Sequence, residues 1–185
     1  MPDLVLLNGP PASGKSTLAA AFVQRRPLAL DLDVDVVRGL LGDWAARPAD
    51  AGIAARRLAT AMARVHLADG HDVIVPQFLA RTPFIDELAG IAAEVGVRFV
   101  EVALMLGRAD AVAAFERRSV LAETPQHRDA AAAVAEAGGT SALEAMYDTY
   151  VEMLEHRPNA RIVEVVVDDI ASTMAGVESA VDEIA

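Results

Sequence analysis

Short apolar runs recur along the chain, each stopped by turn residues, and longer stretches of helix formers lie between them. Leu4 to Leu7 ends at Asn8-Gly9-Pro10-Pro11, the pattern of a buried strand running into a turn. From Lys15 strong helix formers continue to about Arg26, where Pro27 forbids extension. Leu28 to Leu32 reads as a second strand, and Arg38 falls on the helix that follows. Pro48 to Asp69 reads as one Ala-rich helix with apolar Ile53, Leu58, Met62, Val65 and Leu67, closed by Gly70. Val73-Ile74-Val75 is a third strand, stopped by Pro76-Gln77.

Thr82-Pro83 with Asp86 and Glu87 behind it predicts a capped helix running to about Val95. Val97 to Leu106 follows as a fourth strand, and Asp110 to about Arg118 as another helix. Ser119 to Gly139 changes character, with Pro125, His127, Arg128, an Ala run and Gly138-Gly139, and reads as a mobile helical flap. Ser141 with Glu144 matches a capping box opening a helix to about His156. Ile162 to Val167 is a fifth strand and Ile170 to Ile184 a closing helix. Apolar strands separated by helices predict an α/β three-layer sandwich around a five-stranded parallel sheet buried on both faces, with right-handed crossovers. No repeat or low-complexity linker interrupts the 185 residues, so a single domain over 1–185 is expected, with a lid at about 119–139.

Composition narrows the class. Apolar residues make up 54% and charged residues 23%, enough to bury a core and incompatible with disorder. The longest central apolar run, Val102 to Leu106, is far short of the ~20 residues that cross a bilayer. The start Met1-Pro2-Asp3 lacks the basic opening of a secretory signal, so a cytoplasmic location without membrane partners is expected. With no Cys, disulfides, thiolate metal sites and cysteine nucleophiles are excluded. A net charge of -11 repels polyanions, so duplex nucleic acid is not an expected partner. Fifteen arginines stand against one lysine, Lys15.

That lysine lies in the strongest motif. Gly9-Pro10-Pro11-Ala12-Ser13-Gly14-Lys15-Ser16 fits G-x-x-x-x-G-K-[ST] between the first strand and the first helix, as the pattern requires. At this composition it arises by chance on the order of 3 times in 10,000 such chains. A glycine-bounded loop lets backbone N–H groups converge on phosphate oxygens, and the helix start adds its positive dipole end. Lys15 can then reach the β- and γ-phosphates, Ser16 is placed for Mg²⁺, and Thr17 for the α-phosphate.

Ligands of open α/β sheets bind outside the carboxyl ends of the strands. The second strand delivers Asp31, Asp33 and Asp35 there. Asp33 or Asp35 is expected to accept a proton from a substrate hydroxyl while another carboxylate holds a metal-bound water. Asp33 is accordingly paired with Ser16 at the metal. Arg38, three residues after Asp35, shares its helical face and is a candidate for orienting an anionic or polar acceptor.

In this order the residues resemble the P-loop small-molecule kinases: shikimate and gluconate kinases, chloramphenicol phosphotransferase and the kinase domain of polynucleotide 5′-kinases. The sharp part of the resemblance is Gly9 to Thr17 together with Asp33, Asp35 and Arg38; element order extends it over the chain. Asp31-Leu32-Asp33 and Asp33-Val34-Asp35 both imitate the Asp-x-Asp that closes strand two of shikimate kinases, and Asp35 to Arg38 the polynucleotide-kinase spacing. The resemblance implies strand order 2-3-1-4-5 and ATP with Mg²⁺ as cofactors. It also implies an arginine-bearing lid, for which Arg117 and Arg128 are the catalytic candidates and Arg118 a nucleotide-binding one. One departure stands out: the third strand ends in Pro76-Gln77, where many such enzymes carry an acid. Gln77, Phe78 and Arg81 are candidates for shaping the acceptor pocket instead.

The four histidines lack metal-ligand spacing and read as surface or capping residues, and Trp44, Tyr147 and Tyr150 as core packing. The function expected is transfer of the γ-phosphoryl group of ATP to a hydroxyl of a small molecule. Two rivals remain: a nucleotide-binding regulator or slow NTPase without an acceptor, and a zeta-toxin or polynucleotide-type kinase.

Overall fold

The computed structural model describes residues 1–121 and 125–183. The chain runs β1 (Asp3–Asn8), α1 (Lys15–Val23), β2 (Leu30–Asp31), α2 (Val34–Gly39), α3 (Pro48–Ala68), β3 (Val73–Gln77) and α4 (Pro83–Val95). It continues through β4 (Arg98–Met105), α5 (Arg108–Leu121), α6 (Pro125–Glu136), α7 (Thr140–Glu155), β5 (Arg161–Glu164) and α8 (Ile170–Asp182). The strands form one all-parallel sheet in the order β2-β3-β1-β4-β5. This is the order expected from the resemblance.

Side-chain alternation in β1 divides its apolar run between two cores. Leu4 and Leu6 pack with Leu67, Val75, Ile85 and Leu88 on the α3/α4 face. Val5 and Leu7 pack with Leu18 and Phe22 of α1 and Val177 and Val181 of α8 on the other. All twelve are buried, which is why the strand reads as an unbroken apolar run. Truncating any of these leucines to Ala is expected to cost about 2–5 kcal/mol. A third cluster of Phe115, Val134 and Leu143 ties α5, α6 and α7 together, with Ala12 of the loop after β1 packed against it. The three helices and the loop therefore share a packing surface.

Local differences from the sequence expectation have physical causes. Pro76 does not stop β3; it pairs with Leu7 inside the strand. Leu30 N–H donates to Asp72 O and Leu32 N–H to Ile74 O, so alternate residues of β3 face β2, and Pro76 reaches that side only after β2 has ended. Its missing N–H leaves no ladder bond unmade. β2 itself is short because Leu28 takes a left-handed backbone (φ 58) and stays exposed before the first ladder bond forms. The Ser141/Glu144 box does not form. α7 starts at Thr140 behind Gly139 (φ 65), which puts Ser141 inside the helix, and no side chain caps it. Thr82 likewise makes no side-chain capping bond. In the lid, α5 continues past Arg118 to Leu121, and α6 supplies most of the rest. Residues 122–124 of the expected lid, and Ile184 of the expected closing helix, lie outside the described residues. No helix among the described residues is long and apolar enough to cross a membrane.

Candidate functional site

The site begins where β1 stops. Asn8 is fully buried, and its side chain pins the strand end. Its Oδ1 accepts from Gly9 N–H and Leu79 N–H, each at 2.9 Å, and its Nδ2 donates to Leu79 O at 2.9 Å. The exits of β1 and β3 are thereby tied at one height. The next residue must be small: a Cβ at Gly9 would lie 2.7 Å from Ser13 Oγ and 2.9 Å from Leu104 Cβ. The loop then turns through Ala12 (φ 66) and Gly14 (φ 86), the latter at the N-cap of α1. Leu18 N–H is the first to reach a helical carbonyl, Gly14 O at 2.9 Å. The N–H groups of residues 15–17 precede that ladder, and a helix end of this kind can take an anion.

Lys15 folds back over the loop, with Nζ donating to Gly9 O and Pro10 O at 2.8 Å each and lying 3.5 Å from Ser13 Oγ. Burial, then the nearby Arg118, lowers its pKa to about 7 against the opposing pull of Asp33 and Asp35. Ser16 Oγ donates to Asp33 Oδ2 at 3.2 Å. The other oxygen of Asp33 caps α2, accepting from Asp35 N–H at 2.8 Å and Val36 N–H at 3.3 Å. This fixes the short turn between β2 and α2 and sets Asp33 beside the loop, where no sequence period could put it. Asp31, two residues earlier at the end of β2, has its pKa raised to about 6 by burial and then by Asp33. Burial also raises the pKa of Asp35, whose Oδ1 lies 3.4 Å from Arg38 Nη2.

The loop, Asp33 and Asp35 wall a cavity of about 810 Å³, closed on its far side by α5, α6 and α7. Pro11, Ala12, Gly14, Lys15, Ser16 and Thr17 form its floor, and Arg117 and Arg118 of α5 line it from the opposite side. Arg118 stands over the Phe115 ring at 5.2 Å, and burial lowers its pKa. Gln77 and Phe78 line the strand end. Gly9, Pro10 and Ser13 stand behind the floor rather than in it. Arg38 is also outside the lining: its Nη2 meets Asp129 Oδ2 of α6 at 3.0 Å as well as Asp35. Arg81 and Arg128 are exposed and do not line the cavity.

The oxygens of Ser16 and Asp33, adjacent and hard, are of the kind a Mg²⁺ ion takes. No group of three His, Cys, Asp or Glu among the described residues is arranged to hold a metal. A cation at this pair would complete its shell with phosphate and water oxygens.

Several contributors were not visible in the sequence. Asn8 reads there as a turn residue, and only its buried contacts reveal an anchor. His127, Ala114, Ala130, Val134 and Met146 line the cavity because three helices converge, and none belongs to a motif. Asp129 reads as one acid of the flap; its partner Arg38 is 91 residues away. Tyr147 and Tyr150 sit under the site, their hydroxyls donating to Leu106 O and Leu104 O.

A protein-family model described as an AAA domain matches residues 4–153. Three solved structures are similar in fold. A gluconokinase from Sinorhizobium meliloti is 17% identical, with 96% of this chain and 93% of that one covered at a TM-score of 0.58. The tunicamycin resistance protein of Deinococcus radiodurans is 12% identical, with 100% and 98% covered at 0.62. A protein from Chloroflexus aurantiacus is 19% identical, with 96% and 97% covered at 0.65. No curated protein matches the chain in sequence.

Proposed function

The chain belongs to the AAA domain family and has a P-loop kinase-like fold, and from that premise we propose that it is an ATP- and Mg²⁺-dependent phosphotransferase acting on a hydroxyl of a small molecule. One observation carries the reading. A phosphate cradle, two carboxylates and two lid arginines face a single cavity with room beyond the cradle for a second molecule.

Each residue has a task suited to its surroundings. The N–H groups at the start of α1 bind the phosphate tail, and Lys15 leaves the Gly9 and Pro10 carbonyls to pair with it. Ser16 and Asp33 hold the metal ion, which when bound neutralises charge on the phosphate oxygens. Asp33, already committed to Ser16 and to the α2 cap, is the poorer base; Asp35 accepts the proton of the acceptor hydroxyl. Arg38 orients Asp35. Arg117 and Arg118 stabilise the charge spread over the transferring phosphoryl group and help exclude water. Phosphoryl transfer needs little covalent help from protein, so positioning and charge supply most of the rate.

The test is ADP release from ATP and Mg²⁺ with pooled hydroxyl metabolites. Acceptor-dependent release is expected, Lys15→Ala abolishing it and Asp35→Asn lowering it by about 10²–10⁴ with nucleotide binding retained. Pro76-Gln77 at the end of β3, where an acid is common in such sites, favours a second reading as a slow NTPase or nucleotide-binding regulator. Release indifferent to every acceptor would select that one.

A further inference from the structure

Beyond the phosphate cradle the cavity wall is mostly apolar, with Val36 from α2, Phe78 from the β3 exit, Ala130, Ala133 and Val134 from α6, and Met146 from α7; Gln77 and His127 are its polar members. The lysine and arginine side chains that line it, among the described residues, are Lys15, Arg117 and Arg118, all at the phosphate end. A metal-bound triphosphate keeps negative charge, and Asp33 and Asp35 add to it, so these three cations leave no surplus for an anionic acceptor.

Arg38 is the side chain that would supply a fourth. It stands beside Asp35 but outside the lining, with Nη2 held between two carboxylates and Nε buried without an acceptor among the described residues. Nη2 lies 3.0 Å from Asp129 Oδ2 and 3.4 Å from Asp35 Oδ1, and Cζ sits 5.0 Å from the Trp44 ring centroid. An acceptor carboxylate would have to strip Arg38 from Asp129 or rest against a wall whose polar members, Gln77 and His127, bring no permanent positive charge, and a buried charge without a counter-ion is strongly disfavoured. Gln77 makes the complementary demand. Its Oε1 is buried without a hydrogen-bond partner among the described residues, and a buried amide oxygen requires a donor.

Resting on the kinase reading above, we infer that the acceptor is an uncharged hydroxyl compound with an apolar body, that Gln77 Oε1 receives an N–H or O–H from it, and that Asp129 sets this preference by holding Arg38 out of the cavity. Asp129 is then a specificity-determining residue acting through Arg38.

Binding tests the inference and turnover tests the kinase reading. With the full chain, Mg²⁺ and a non-hydrolysable ATP analogue, equilibrium dialysis compares the dialcohol para-benzenedimethanol, which has one hydroxyl for Asp35 and one for Gln77, with para-(hydroxymethyl)benzoate, matched in size and differing in charge. The alcohol is expected to bind at least about tenfold tighter. Equal or reversed affinity overturns the inference, and so does an alcohol that fails to bind at millimolar concentration. Asp129→Asn is expected to narrow the ratio several-fold by freeing Arg38, and adding Arg38→Gln to restore it. A merely structural role for Asp129 weakens both ligands alike, and an unmoved ratio refutes its part. Gln77→Leu weakens the alcohol several-fold; undiminished binding refutes the role of its oxygen. ADP release in parallel mixtures, with ATP in place of the analogue, separates the two readings. Alcohol binding without stimulated release retires the kinase reading and leaves the charge preference standing. Release stimulated more by the benzoate overturns the preference and leaves the kinase.

Discussion

Replacing Asn8 with Ala should damage both the fold and the phosphate cradle, because one buried side chain satisfies three backbone groups. Gly9 N–H, Leu79 N–H and Leu79 O would lose their partner in a region that water does not reach. An unsatisfied buried group costs about 1–3 kcal/mol, so the two orphaned donors and the carbonyl should together remove about 3 kcal/mol or more. For a chain of this length that lowers Tm by roughly 6–12 °C. Urea unfolding, read as a fall in midpoint at constant m-value, measures the loss directly. Nucleotide affinity should fall as well, since Gly9 N–H anchors the first residue of the loop. Asn8→Asp serves as the control. It keeps an acceptor for both N–H groups but sets a second oxygen against Leu79 O, so its defect should deepen above the carboxyl pKa and ease as pH falls and the acid becomes a donor. A loss under about 1 kcal/mol in Asn8→Ala, or an Asn8→Asp defect indifferent to pH, would refute the reasoning.

Further outcomes follow from the same geometry. Gly9→Ala places a Cβ against Leu104 and Ser13 and should lose about 1–3 kcal/mol of stability together with nucleotide binding, measured by urea unfolding and calorimetry. Lys15, with its pKa lowered to about 7, is largely neutral in the free protein at pH 8, whereas a polyphosphate favours its ammonium form. Binding should therefore take up a proton, and affinity should fall as pH rises above 7. Calorimetry in two buffers of different ionisation enthalpy checks this, and identical heats would contradict it. The unfolded chain holds that proton up to its ordinary pKa of 10.5, so this group's penalty on the ligand-free fold is full below about pH 7 and shrinks as pH rises toward 10.5. Arg157→Met strands the carboxylate of Glu101, whose side chain is 4% exposed and meets Arg157 Nη2 at 2.7 Å, and should cost about 3–5 kcal/mol in urea unfolding.

Two kinds of information were legible before any coordinates. Alternating apolar runs and helix formers carry the layered α/β plan, because a parallel sheet covered on both faces leaves its strands no polar side. The loop from Gly9 to Thr17 is legible because its chemistry is local: a few consecutive residues supply backbone amides, an amine and a hydroxyl within one turn of helix. Where the sequence misled, a rule about local preference met a tertiary fact. Pro76 ends no strand because its neighbour has already ended, and Ser141 caps no helix because Gly139 turns the chain first.

What the sequence determined by itself is therefore the sheet, the loop from Gly9 to Thr17 at the start of α1 and a short set of candidate acids and arginines. Only the tertiary structure decided which of these meet. Asp33 rather than Asp31 binds Ser16, Arg117 and Arg118 rather than Arg128 line the cavity, and Arg38 is bound to Asp129 across 91 residues. Such choices depend on where α5, α6 and α7 come to rest against the β2–α2 turn. Packing between segments distant in the chain settles that, and no spacing within either segment encodes it.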